Sequence, residues 1–75
     1  MNVREDHTVS VAAGAALRAE RARRRLSQAE LGARVGLHRM AISRLEKGIA
    51  WSLTKAVRLS EALGVPLDTF GGSRG

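Results

Sequence analysis

Seventy-five residues make one small domain, and none of them is cysteine, which removes disulfides and thiolate metal sites. No apolar run approaches membrane-spanning length, and the amino-terminus lacks the basic and apolar regions of a signal peptide. The formal charge is +6, and nine Arg and Lys against three Glu between Arg18 and Lys47 account for the whole excess. Charge segregated this completely points to a polyanionic partner. A core this small relies on compact helix packing or on self-association.

Residues 1–9 are polar and mixed in charge, and they read as a flexible arm. His7 stands there beside Glu5 and Asp6, but an arm offers no fixed geometry for a metal. A first helix is expected after Ser10 and to about Arg24, with Ala12, Ala15, Ala16, Leu17, Ala22 and Leu26 facing inward. Arg23, Arg24 and Arg25 crowd its end, where the helix dipole favours cations. Of these, Arg24 and Arg25 are also candidates for sequence-independent phosphate contact.

Ser27 and Glu30 have the spacing of a capping box and open a second helix carrying Ala29, Leu31 and Val35. The missing side chain at Gly32 suits a close helix crossing, and Gly36 suits a left-handed helix end. Leu37 is apolar and fits the corner. A further periodic run carries Ala41, Ile42 and Leu45 and stops at Gly48. A third long helix is expected from near Ser52 to Gly64 on the rhythm of Leu53, Ala56, Val57, Ser60 and Leu63. Val65-Pro66 then starts a short final helix through Phe70, and residues 71–75 read as a flexible tail. The expected fold is therefore all-α, a compact five-helix bundle over residues 10–70 that contains a helix-turn-helix.

At about 100° per residue, Ile42 and Leu45 share one arc of the helix after the turn, with Ala41 at its edge. Arg39, Met40, Ser43 and Arg44 occupy the opposite arc. Those are base-reading chemistries. Arg forks onto guanine O6 and N7, Ser bonds either groove edge, and an apolar tip touches a thymine methyl. On an isolated helix, two Arg would more simply be solvated. The surrounding pattern reverses that preference.

From Leu17 to Phe70 the chain resembles the Cro/cI (XRE) family of DNA-binding domains. The matching residues are Leu17-Arg18 and Arg21, the Leu26-Ser27-Gln28-Ala29-Glu30-Leu31 block, Val35-Gly36-Leu37, Ile42 to Gly48, and Leu53 onward with Ala62-Leu63-Gly64-Val65. The resemblance implies a lambda-repressor-like domain binding double-stranded DNA. It implies that Arg39, Met40, Ser43 and Arg44 read base edges, that Gln28 contacts phosphate and braces a base-reading side chain, and that Arg21 pairs with Glu46 as scaffold. It also implies a homodimer formed through the C-terminal region and a palindromic operator with half-sites about one helical turn apart. Two positions depart from the pattern. His38 stands where a Ser or Thr usually caps, so a weaker cap or a phosphate contact is expected there. Ile49-Ala50-Trp51 stand where the family often carries basic and Asn residues, so that loop would reach phosphate only through backbone N–H groups. Lys47 completes the expected phosphate contacts.

Trp51 and Phe70 are the only aromatics, which argues against base-stacking RNA folds. Trp51 reads as a core or hinge residue, or as part of a self-association patch with Ile49, Leu67 and Phe70. Trp51, Leu67 and Phe70 thus form the expected dimer interface. His38 has no neighbouring carboxylate or thiol for a metal set, and Asp68 and Glu61 read as capping or surface charges. No phosphate-cradling glycine loop or nucleophile elbow occurs, so neither catalysis nor a cofactor is expected. The leading expectation is a cytoplasmic, sequence-specific transcriptional regulator, a repressor or autoregulator. The alternatives are an antitoxin with a protein toxin as partner, a restriction-modification controller, and a non-specific architectural DNA binder.

Overall fold

Ser10 starts the fold: its hydroxyl accepts from the Ala13 N–H at 3.1 Å and opens α1 (Val11–Arg23). The structure, a computed structural model, describes residues 10–71, and the expected arm and residues 72–75 of the expected tail lie outside them. α1 buries Ala13, Gly14, Leu17 and Glu20, with Ala16, and Leu26 in the loop that follows, half-buried against the core. Ala12, Ala15 and Ala22 face solvent, which corrects the inward set expected from the sequence. Alanine surrounds this helix on all sides and marks no face. Leu17, fully enclosed, sets the rotation. Gly14 permits the crossing onto the third helix, since a Cβ there would lie 2.5 Å from the Glu46 carbonyl oxygen.

α2 (Gln28–Val35) begins with both halves of the capping box formed: Glu30 N–H donates to Ser27 Oγ at 2.9 Å, and Ser27 N–H to Glu30 Oε1 at 2.7 Å. Leu31, Gly32 and Val35 are buried, and Ala29 is exposed. The space at Gly32 is used by the turn rather than by a second helix, because a Cβ there would lie 2.2 Å from the Leu37 carbonyl oxygen. Gly36 ends α2 at φ 72°.

α3 (Arg39–Glu46) is capped by His38, whose Nδ1 accepts from the Met40 N–H at 3.1 Å. The imidazole thus takes the place that a Ser hydroxyl holds at the starts of α1 and α2. Ser10 N–H donates to the Gly48 carbonyl at 2.7 Å and ties the end of α3 to the start of α1. α4 (Leu53–Leu63) opens on the Ser52 hydroxyl and closes on Gly64. It buries Ala56, Leu59, Ser60 and Leu63, while Leu53 is 56% exposed, contrary to its expected inward place.

The described residues thus form four α-helices and a 3-10 turn, Leu67–Phe70, in place of five helices. Pro66 supplies no N–H donor, and Gly71 stops the turn after four residues with i→i+3 bonds only. Leu17, Leu31, Ile42, Leu45 and Leu59 are fully enclosed and form the centre of the core. Trp51 and Phe70 cover one end of it with ring centroids 5.4 Å apart. Trp51 also donates its indole N–H to the Leu45 carbonyl at 2.9 Å.

Candidate nucleic-acid interface

The geometry of α3 follows from its two faces. Ile42 and Leu45 are buried in the core, so Arg39, Met40 and Arg44 come to the opposite side and are exposed, Met40 by 59%. Ser43 is half-buried between them. Among the described residues, neither Arg39 nor Arg44 has a salt-bridge partner. Two guanidinium groups therefore stand on one solvent-facing strip of α3.

A polar node fixes that helix. The Glu46 side chain is only 4% exposed, and its carboxylate accepts from Arg21 Nε and, at 3.1 Å, from Arg21 Nη2. Arg21 Nη1 donates onward to the Leu26 carbonyl at 2.9 Å, which ties α1, the loop before α2, and the end of α3 together. The Glu46 contact raises the Arg21 pKa and keeps the guanidinium charged. Gln28 joins the node, its Nε2 donating to Glu46 Oε1 at 3.1 Å. The carboxylate only accepts, so it sets the Gln28 amide with nitrogen inward. One amide hydrogen and the Oε1 carbonyl of Gln28 remain for a ligand.

The remaining expected contacts divide. Arg25 and Lys47 are exposed at the ends of α1 and α3. His38 is exposed, and with Nδ1 accepting in the cap its Nε2 carries the proton and can donate to an anion. Arg24 is occupied within the protomer. Its Nη1 donates to Glu20 Oε1 at 2.7 Å and to the Glu20 carbonyl at 2.9 Å, and its Nη2 to the Leu63 carbonyl at 2.7 Å. Arg23 lies 3.2 Å from the other Glu20 oxygen. The Arg24 hydrogen bond, with the charges of Arg23 and Arg24, holds the Glu20 carboxyl below its ordinary pKa. These bonds tie α1 to α4 and leave Nε–H and one Nη2 hydrogen of Arg24, which is 30% exposed, without an internal partner.

The expected dimer residues also change place. Trp51 and Phe70 are 4% and 5% exposed, so these two rings belong to the protomer's own core. Leu67 is half-buried against it. Among the described residues, the large apolar side chains left exposed are Val11, Met40, Ile49 and Leu53.

One residue that sequence reasoning missed lies beside the site. Lys55, in the first turn of α4, reaches back over the loop and donates from Nζ to the Ala50 carbonyl at 2.8 Å. It lies outside the charged segment, and only the loop's path brings it next to α3. No cluster of three metal-ligating side chains occurs among the described residues, and no helix there is long and apolar enough to cross a membrane.

A model of the helix-turn-helix family matches residues 17–70. No curated protein matches. Among solved structures, the chain is similar to one described as the crystal structure of FeII HppE in complex with substrate. The two share 20% identity over 88% of this chain and 38% of that one, with a TM-score of 0.76. At that identity the likeness is one of fold, and the present chain spans well under half of the other.

Proposed function

Since the chain belongs to the helix-turn-helix family of the Cro/cI (XRE) type, a family of DNA-binding regulatory domains, we propose that it reads specific double-stranded sequences through α3 and acts as a repressor or autoregulator. The observation that carries the proposal is the strip of Arg39, Met40, Ser43 and Arg44, propped outward on a helix whose other face is core. A helix of this diameter fits the major groove, where each exposed group has a base-edge partner. Gln28, His38, Arg25 and Lys47 would hold the duplex by its phosphates, with Arg21 and Glu46 as scaffold.

Two copies on one duplex would read a palindrome with half-sites about one helical turn apart. With Trp51 and Phe70 in the core, Ile49 and Leu53 are the exposed apolar residues flanking Trp51 in the chain that remain for pairing.

Selection of bound duplexes from a random pool at physiological salt tests the reading. A recurrent palindromic sequence supports both base reading and pairing. A recurrent sequence without symmetry supports base reading by a monomer. A pool that stays random would leave only an architectural, salt-driven binder.

A further inference from the structure

Each of the four described α-helices opens on a side-chain cap, and three of the caps are Ser hydroxyls, at Ser10, Ser27 and Ser52. The fourth, on α3, is an imidazole: His38 Nδ1 accepts from the Met40 N–H at 3.1 Å. A hydroxyl keeps its acceptor lone pairs between about pH 5 and 8, whereas Nδ1 accepts only while it carries no proton. His38 is exposed, so protons reach it from solvent. On the two helices that meet at this turn, Glu30 is engaged with Ser27, Glu46 with Arg21 and Gln28, and Arg34, Arg39 and Arg44 stand exposed. No carboxylate among the described residues forms an ion pair with His38.

We propose that this cap is a proton switch on base reading: a proton on Nδ1 opens the first turn of α3 and lowers the preference for operator over random duplex. Once protonated, Nδ1–H faces the Met40 N–H, donor against donor, and a positive charge sits at the helix end where the dipole disfavours it. Arg39 and Met40 occupy that turn and lose their fixed start. The other end of α3 stays held, through buried Leu45 and through Glu46 in its node with Arg21. Sequence-specific binding must then re-form the turn, and binding through charge need not. The imidazolium also adds charge that attracts any duplex, so the ratio of the two affinities reports the switch where either affinity by itself does not. The switch rests on the DNA-binding reading above and regulates that same site.

The test is the operator-to-random affinity ratio at about pH 8 and about pH 5.5, on either side of imidazole titration. It is measured for the chain with His38, for His38→Ser and for His38→Ala, all carrying His7→Gln so that at most one imidazole titrates. With His38 the ratio should fall by about 2- to 30-fold on acidification, the fold-change of a lost N-cap. His38→Ser, whose cap does not titrate, should keep its ratio at both pH values, and His38→Ala should show the low ratio at both. In the free protein, the Met40 amide resonance should move along the same titration curve as the His38 ring protons. A ratio that holds with His38, or that falls in parallel with His38→Ser, would overturn the switch, as would a Met40 amide that ignores the ring. If the chain bound no duplex at either pH, the DNA-binding reading itself would fall and take the switch with it, while the Met40 amide would still report whether the cap opens. Circular dichroism at both pH values separates these results from unfolding.

Discussion

Glu46→Ala removes the acceptor that three donors share, Arg21 Nε, Arg21 Nη2 and Gln28 Nε2. Deleting one member of a buried ion pair costs about 3–5 kcal/mol, because the other charge is left without compensation. Arg21 is only partly stranded, since its side chain is 19% exposed and Nη1 keeps the Leu26 carbonyl at 2.9 Å. The low end of the range therefore applies, about 3 kcal/mol. In a domain of this size each kcal/mol shifts the thermal midpoint by about 4–8 °C, so a fall of roughly 12–24 °C is expected. Arg21→Ala should cost more, about 5 kcal/mol, because the carboxylate it leaves is nearly inaccessible to water. The double variant leaves no buried charge and should cost clearly less than the two singles combined. Denaturant unfolding of the four proteins gives the coupling directly. Single-variant losses that added to within about 0.5 kcal/mol would show that the two groups act independently and would refute the account of how α3 is braced.

Arg24→Ala should lower the thermal midpoint, since it severs the tie to Glu20 and the Leu63 carbonyl, while leaving the salt slope of DNA binding unchanged. A slope reduced by about one unit would return Arg24 to the phosphate contacts. Acid should destabilise the fold through Glu20, lowered chiefly by its Arg24 hydrogen bond, and Glu30, lowered chiefly by the Ser27 backbone N–H. A carboxyl lowered in the folded state contributes its full stability above the unfolded value, 4.5 here, and loses it as pH falls through the folded value. Thermal midpoints of the wild type and a Glu20→Gln, Glu30→Gln double variant should therefore converge below that pH; a constant gap would contradict the assignment. Gly14→Ala gains about 1 kcal/mol of helix propensity. Its Cβ, however, would meet backbone oxygens at 2.5 and 2.7 Å, which forces α1 away from α3. Net destabilisation is expected, and a raised midpoint would mean that the crossing is looser than it stands here.

The second and third helices were legible from sequence because their signals are local. A capping box, a glycine end and an amphipathic period each speak within one turn, and Ser27, Glu30, Gly36, Ile42 and Leu45 all lie where they indicated. α1 was harder to orient, since a run of alanines has no apolar stripe and only contact with α3 selects Ala13 and Gly14 over Ala12 and Ala15. The partners of Arg24 are four and thirty-nine residues away, and the second of these is a carbonyl at the end of another helix. Sequence distinguishes such a structural arginine poorly from its neighbour Arg25. Trp51 reads from sequence as core or interface and Phe70 as interface, because the pattern shows apolarity without showing which surface covers it. Both are buried within the protomer, at 4% and 5% exposure, with ring centroids 5.4 Å apart. Lys55 was invisible for the opposite reason. Its relation to Arg44 exists only across the turned loop.

The most direct test of base reading by α3 is the ratio of operator to random-duplex affinity for Arg39→Ala and Arg44→Ala beside the wild type, at one salt concentration. The account predicts that each variant loses about 1–3 kcal/mol on the operator, with relaxed preference at one base pair and a much smaller loss on random DNA. Equal losses on both duplexes would mean that these arginines serve as charge alone, and base reading by α3 would be contradicted.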